Sequence, residues 1–132
     1  MEYTYKLDTI NDICRVSVIG TMLRPEDSLK LKQLAIQLNA DHGYLKFLFD
    51  MTNTEIVSNT ISIIESATPE EYLSDLLMPL EVAILYRDIT ADALFFETVA
   101  VNRGHKVYAF EDNDVAIEWL SGISEYKPEA QD

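Results

Sequence analysis

The chain has 132 residues, 48% of them apolar, which suits one domain able to fill a core without disulfides or a structural metal. Ten basic residues against 23 acidic ones give a formal net charge of −13. That balance argues against nucleic acid and anionic membrane surfaces, both of which demand a Lys/Arg face, and reads instead as solubility.

Cys14 is the only cysteine, so an intramolecular disulfide and a Cys-based zinc cluster are excluded. It falls within an apolar alternation and is expected to behave as a small hydrophobe. Met1-Glu2-Tyr3-Thr4-Tyr5-Lys6 lacks the apolar core of a signal peptide. The apolar runs at 45–49 and 82–86 are too short to span a bilayer. A cytoplasmic location without a membrane span is expected.

Residues 3–9 alternate polar and apolar and predict a strand; Ile10-Asn11-Asp12 makes a turn; residues 13–19 predict a second, β-branched strand, closing a hairpin. Gly20-Thr21 leads to Arg24-Pro25-Glu26-Asp27, where proline and two acids suit the start of a helix. Leu31, Leu34, Ala35 and Leu38 recur at helical spacing, and Gly43 is placed to end that helix. Residues 44–49 predict a short strand buried on both faces. A polar stretch, Thr52-Asn53-Thr54-Glu55, follows, and then Val57, Ile61 and Ile64 stand at helical spacing. Thr68-Pro69-Glu70-Glu71 carries a Thr-x-x-Glu capping box with proline at the first helical position, so a second short helix is expected, with Tyr72, Leu73, Leu76 and Leu77 on its apolar face and Pro79 at its end.

Residues 82–86 predict another buried strand. Thr90 is placed to cap a helix from Ala91 to about Asn102, with Arg103 in the last turn and Gly104 beyond it. Residues 106–110 predict the last strand. Asp112 or Asn113 is placed to cap a final helix carrying Val115, Ala116, Trp119 and Leu120, closed by Gly122. The order β-β-α-β-α-α-β-α-β-α implies an α/β domain over residues 1–122: one mixed sheet of about five strands, an N-terminal hairpin, and helices covering it. Residues 123–132 read as a polar tail.

No glycine-rich phosphate loop, His-Glu-x-x-His pattern or Gly-flanked serine elbow is present, and the four glycines are dispersed. His42 and His105 are far apart and read as solvated loop residues. No cofactor and no metal site are expected. Two segments remain as candidates. Phe47-Leu48-Phe49-Asp50-Met51-Thr52-Asn53 ends a buried strand with an acid and small polar residues, where open α/β sheets place their sites; the favoured reading of Asp50 is a cap that accepts backbone N–H bonds from the following loop or helix. The segment from Ala93 to Gly104 carries Phe95, Phe96, Glu97, Asn102 and Arg103 on a helix whose apolar arc is wider than one buried face needs. That arc fits a wide core, a dimer interface or the wall of a ligand groove. Glu97 could pair with Arg103 or with a neighbouring helix.

The element order, the Phe49-Asp50-Met51-Thr52 strand end, Phe95-Phe96-Glu97 with Asn102-Arg103-Gly104, and the closing Ala116-Ile117-Glu118-Trp119-Leu120 together resemble the small SpoIIAA-like, or STAS-like, bacterial proteins over about residues 3–122. The resemblance implies the fold shared with anti-sigma factor antagonists and, more distantly, with CRAL-TRIO lipid-binding domains. In antagonists a strand-end Asp precedes an Asp-Ser-Ser/Thr-Gly loop whose hydroxyl is phosphorylated. Asp50 matches that acid, whereas the loop falls on Ser58-Asn59-Thr60-Ile61, which has neither the Asp nor the Gly. Ser58 and Thr60 are the hydroxyls a kinase would address there.

The leading expectation is a non-enzymatic, STAS-like binding or regulatory module acting through protein–protein contacts, with an unidentified protein partner or a second copy of itself. The alternative is a protein that binds a small apolar or lipid-like ligand in a pocket against the Phe95/Phe96 helix. A third reading is an enzyme built on strand-end carboxylates. The candidate surface comprises Asp50, Thr52, Ser58, Thr60, Phe95, Phe96, Glu97, Asn102 and Arg103.

Overall fold

The computed structural model describes residues 1–122; the polar tail expected at 123–132 lies outside the described residues. The elements are β1 (Glu2–Asp8), β2 (Ile13–Leu23), α1 (Glu26–His42), β3 (Lys46–Val57), α2 (Thr60–Ala67), α3 (Glu71–Leu77), β4 (Glu81–Leu85), α4 (Ala91–Asn102), β5 (Lys106–Phe110) and α5 (Asn113–Ser121). Among the described residues no helix is long and apolar enough to cross a membrane.

The five strands form one mixed sheet in the order β1-β2-β3-β4-β5, antiparallel at the hairpin and parallel thereafter. The hairpin turn is built by Asp8, whose Oδ1 accepts from the Ile10 and Asn11 amides at 3.1 Å each. Because each parallel strand lies beside its predecessor, right-handed crossovers place all the connecting helices on one face. Strand alternation follows suit. Cys14, Val16, Phe47, Phe49, Val82 and Ile84 face the side occupied by α1, α2, α3 and α4. Ile13, Leu48, Ala83, Leu85 and Phe110 face the other side, where α5 contributes Ala116 and Leu120. Trp119 of α5 meets Tyr108 edge-on at 4.9 Å and Phe110 at 5.7 Å. Cys14 is a fully buried hydrophobe whose thiol is pushed up to about 11 by burial.

Three local outcomes differ from expectation. First, β3 does not stop at Phe49 but runs to Val57, because β2 also continues and the two pair from Ile19↔Asn53 to Leu23↔Val57. A register shift between Ser17 and Ile19 starts this extension, which projects past the end of β4 at Leu85. The polar run Thr52-Asn53-Thr54-Glu55 is tolerated there because its side chains alternate toward solvent. Val57 therefore belongs to the strand, and α2 begins only at Thr60, under an Asn59/Ser62 capping box. Second, Thr68 does not cap α3. Its hydroxyl donates to the Ile64 carbonyl at 2.7 Å and closes α2, while Glu70 stands at the α3 N-cap without a side-chain bond. Third, Tyr72 and Leu76 of α3 are exposed, so Leu73 alone of that helix is buried.

Since α5 alone among the described helices covers its face, Leu120 should carry a full core penalty. Leu120→Ala is expected to lower stability by about 2–5 kcal/mol in urea denaturation. A loss below about 1 kcal/mol would contradict this packing.

Candidate functional site

Four helices laid on one sheet face must diverge around its twist, and the seam they leave is a cavity of about 100 Å³. Phe49, Met51, Val82, Ile84 and Val107 form its floor on the sheet. Leu31 and Ala35 of α1, Ala67 of α2, Leu77 of α3, and Phe96 and Ala100 of α4 form its walls.

Set into this apolar lining are Arg24, Lys32, Tyr86 and His105. Arg24 is held by its backbone at the β2–α1 junction: its own amide donates to the Val57 carbonyl at 3.0 Å, and the preceding Leu23 amide donates to Asp27 Oδ2 at 2.8 Å. The guanidinium lies 4.1 Å from the centre of the Phe96 ring, and the Tyr86 hydroxyl is close enough to support its charge. Lys32 stands one turn beyond Ser28 on α1 and reaches across to α2, where Nζ donates to the Ser66 carbonyl; Ser28 Oγ lies 3.4 Å away. Both cations keep part of their surface in solvent, yet their charged ends sit among enough protein atoms for desolvation to act. Burial lowers the Arg24 pKa, which the neighbouring Tyr86 and Asp92 counter only in part. Burial, with the positive charge of Arg24 added, brings the Lys32 ammonium down to about 8. Among the described residues neither cation forms an ion pair with a carboxylate.

Tyr86 is buried, and desolvation pushes its phenol up to about 12. His105 is not the solvated loop residue expected from its neighbouring glycine. It is buried, its Nε2 lies 3.0 Å from Ser74 Oγ, and burial together with Lys32 lowers its pKa, favouring the neutral ring. Ser66 Oγ is buried without a hydrogen-bond partner.

A second, more polar cleft of about 290 Å³ opens at the carboxyl ends of β3 and β4. Thr52, Thr54, Ser58, Arg87, Asp88, Thr90 and Asp92 line it, and Arg24, Met51 and Tyr86 are common to both spaces. Thus Thr52 and Ser58 come together here, with Ser58 Oγ 3.4 Å from Asp92 Oδ2. Asp50 is turned into the structure: Oδ1 accepts from the Thr52 amide at 3.0 Å and hydroxyl at 2.6 Å, and Oδ2 pairs with Arg15 at 3.1 Å. Burial alone would raise its pKa; the Thr52 bonds and Arg15 outweigh this and hold it below the ordinary value. Arg15 also donates to Asn113 Oδ1 at 2.7 Å, tying β2 to the start of α5. Thr60 is exposed at the first residue of α2.

The α4 residues are split. Phe96 faces the cavity, whereas Phe95 is 37% exposed on the outside. Asn102 and Arg103 are exposed at the helix end, and Glu97 reaches neither Arg103 nor a neighbouring helix. It is 2% exposed, accepts from the Ala109 amide of β5 through Oε2, and leaves Oε1 without a partner. The sequence does not mark Arg24, Lys32, Tyr86 and His105 as residues of one cavity. One signal was present: Lys32 follows Leu31 and precedes Ala35 by three, which places a cation on the apolar stripe of α1.

Burial raises the Glu97 pKa above the ordinary 4.5, and the Ala109 bond offsets only part of the rise. Above that ordinary value the folded state keeps a proton that the unfolded chain has released, so stability falls as pH climbs toward the raised folded value. Glu97→Gln retains the acceptor for Ala109 and removes the titration. The wild-type melting temperature should therefore fall more steeply than that of Glu97→Gln as pH rises from about 4.5 to 7; parallel profiles would contradict this.

Neither a protein-family model nor a curated protein matches the sequence. Among solved structures, the crystal structure of an uncharacterised protein of the DUF3478 family with a SpoIIAA-like fold, from Shewanella loihica, is similar to this chain. The identity is 18% and the TM-score 0.50, over 90% of this chain and 92% of that one. At that identity the likeness speaks to architecture alone, and it agrees with the sheet and helix placement above: this chain has a SpoIIAA-like fold.

Proposed function

We propose that this chain is a non-enzymatic binding module whose interior cavity receives a small molecule with an apolar body. The observation that carries the reading is the cavity itself, an apolar space between the helices and the sheet into which a few polar groups converge. Its volume of about 100 Å³ suits a small ligand, and the adjoining cleft, sharing Arg24, Met51 and Tyr86, offers a polar way in. Placement of the carboxylates speaks against strand-end catalysis. Asp50 is neutralised by Arg15 on the α5 side of the sheet, Glu97 is spent on a backbone amide, and Arg103 is exposed at the end of α4.

The test is to fill the space. Ala35→Leu adds volume from α1 into the cavity, on a residue that is already helical and buried. Binding of a small alcohol such as hexan-1-ol, followed through the methyl signals of Leu31, Val82 and Ile84, should weaken at least about tenfold, with the melting temperature unchanged or raised. Unchanged binding would remove the cavity as the site.

A regulatory contact with a protein partner is the second reading. Apolar side chains on the outward faces of the helices favour it: Ile61 is 70% and Tyr72 60% exposed. Phe95, but not Phe96, joins that outward set. If self-association uses it, light scattering at micromolar concentration should show a dimer that Ile61→Asp dissociates. A strictly monomeric wild type would end the dimer reading.

A further inference from the structure

We propose that the ligand of the interior cavity is a carboxylate on a short apolar body, its head group held between Arg24 and Lys32 and its body lying along Leu31, Ala35, Val82 and Ile84. The inference rests on the cavity being a ligand site and names the chemistry of its occupant. A chain with 23 acids and ten bases has carboxylates to spare for every cation it buries. Arg15 and Lys30 have acidic partners, in Asp50 and Asp27. The two cations lining the apolar cavity are instead given neutral oxygens and a ring face. Desolvating a cation without a counter-charge is unfavourable, and an anion arriving in the cavity removes that penalty.

Hydrogen-bond capacity points the same way. Lys32 has three donors and two neutral oxygens near it, one of them 3.4 Å away. Arg24 has five donors, with the Phe96 ring face and the neutral Tyr86 hydroxyl as its neighbours. The Ser66 hydroxyl, 1% exposed in the same lining, has no partner. Donors from α1, α2 and the β2–α1 junction therefore converge on one space. Like charges converge as well, since Arg24 acts on Lys32, and the same positive field helps keep His105 neutral. Of the acids near this group, Asp92 acts on Arg24 from the polar cleft and Glu97 is engaged by Ala109. A carboxylate supplies a single negative charge and two acceptor oxygens, which cations approaching from two elements can share.

The experiment titrates the full chain with hexanoate and with hexan-1-ol, equal in apolar body and different in head group, in the wild type and in Lys32→Met. Hexanoate should bind the wild type about tenfold tighter than hexan-1-ol or better, and Lys32→Met should lose that advantage while keeping the affinity for hexan-1-ol. Equal affinities in the wild type would overturn the carboxylate assignment and leave the cavity reading standing. Binding of neither probe would overturn both. An acid preference that survives unchanged in Lys32→Met would overturn the role given to Lys32; the wild-type comparison decides the head group whether or not the variant folds.

Discussion

A sheet whose parallel strands are laid down in chain order, each beside the last, has little choice about where its connections go. Right-handed crossovers send α1, the α2–α3 pair and α4 to the same face, and only the helix after the last strand can cover the other. The consequences are opposite on the two faces. On one, α5, alone among the described helices, seals a small core with Trp119 clamped over Tyr108 and Phe110, and the sheet beyond it is tied down by Arg15 reaching Asp50 and Asn113. On the other, four helices cross a twisted surface and do not close completely.

What fills the seam shows how a fold constraint becomes chemistry. The cavity lies over the middle of β3 and along β4, beside the β2–α1 junction and the start of β5, so residues distant in sequence face a single space. Arg24 is in the wall common to the cavity and the polar cleft, and it reads both: Phe96 and Tyr86 on the inner side, Asp92 on the outer. An acidic protein that turns two of its few cations inward, with no carboxylate ion-paired to either among the described residues, is arranged for an added negative charge. Buried groups arranged this way are usually kept at some loss of stability.

Much of the scaffold could be read from the chain, because its punctuation is strong. The bounds of α4 and β5 follow from Thr90 as cap and Gly104 as stop; Asp112 caps α5 through the Asp114 and Val115 amides, and Gly122 closes it in the left-handed region. The long ribbon of β2 and β3 could not be read, since Thr52–Glu55 looks like a loop until a partner strand is present to pair with it. The site was harder still. Phe95 and Phe96 are adjacent in sequence but about 100° apart on a helix, so one lines the cavity and the other faces out. Arg24 beside a proline and Lys32 beside a leucine look like ordinary solvated charges; their meaning depends on α2 and α4 packing over them. His105, beside Gly104, reads as a loop residue for the same reason, its burial being supplied by α3 through Ser74.

The central claim is that Lys32 is desolvated beside a second cation and, among the described residues, has no carboxylate as counter-charge. The direct measurement is the pH titration of the Lys32 side-chain signal by NMR, without and with hexanoate. The account predicts a midpoint near 8 in the free protein, moving upward when the carboxylate binds. A midpoint at the ordinary lysine value of 10.5, unmoved by hexanoate, would contradict it.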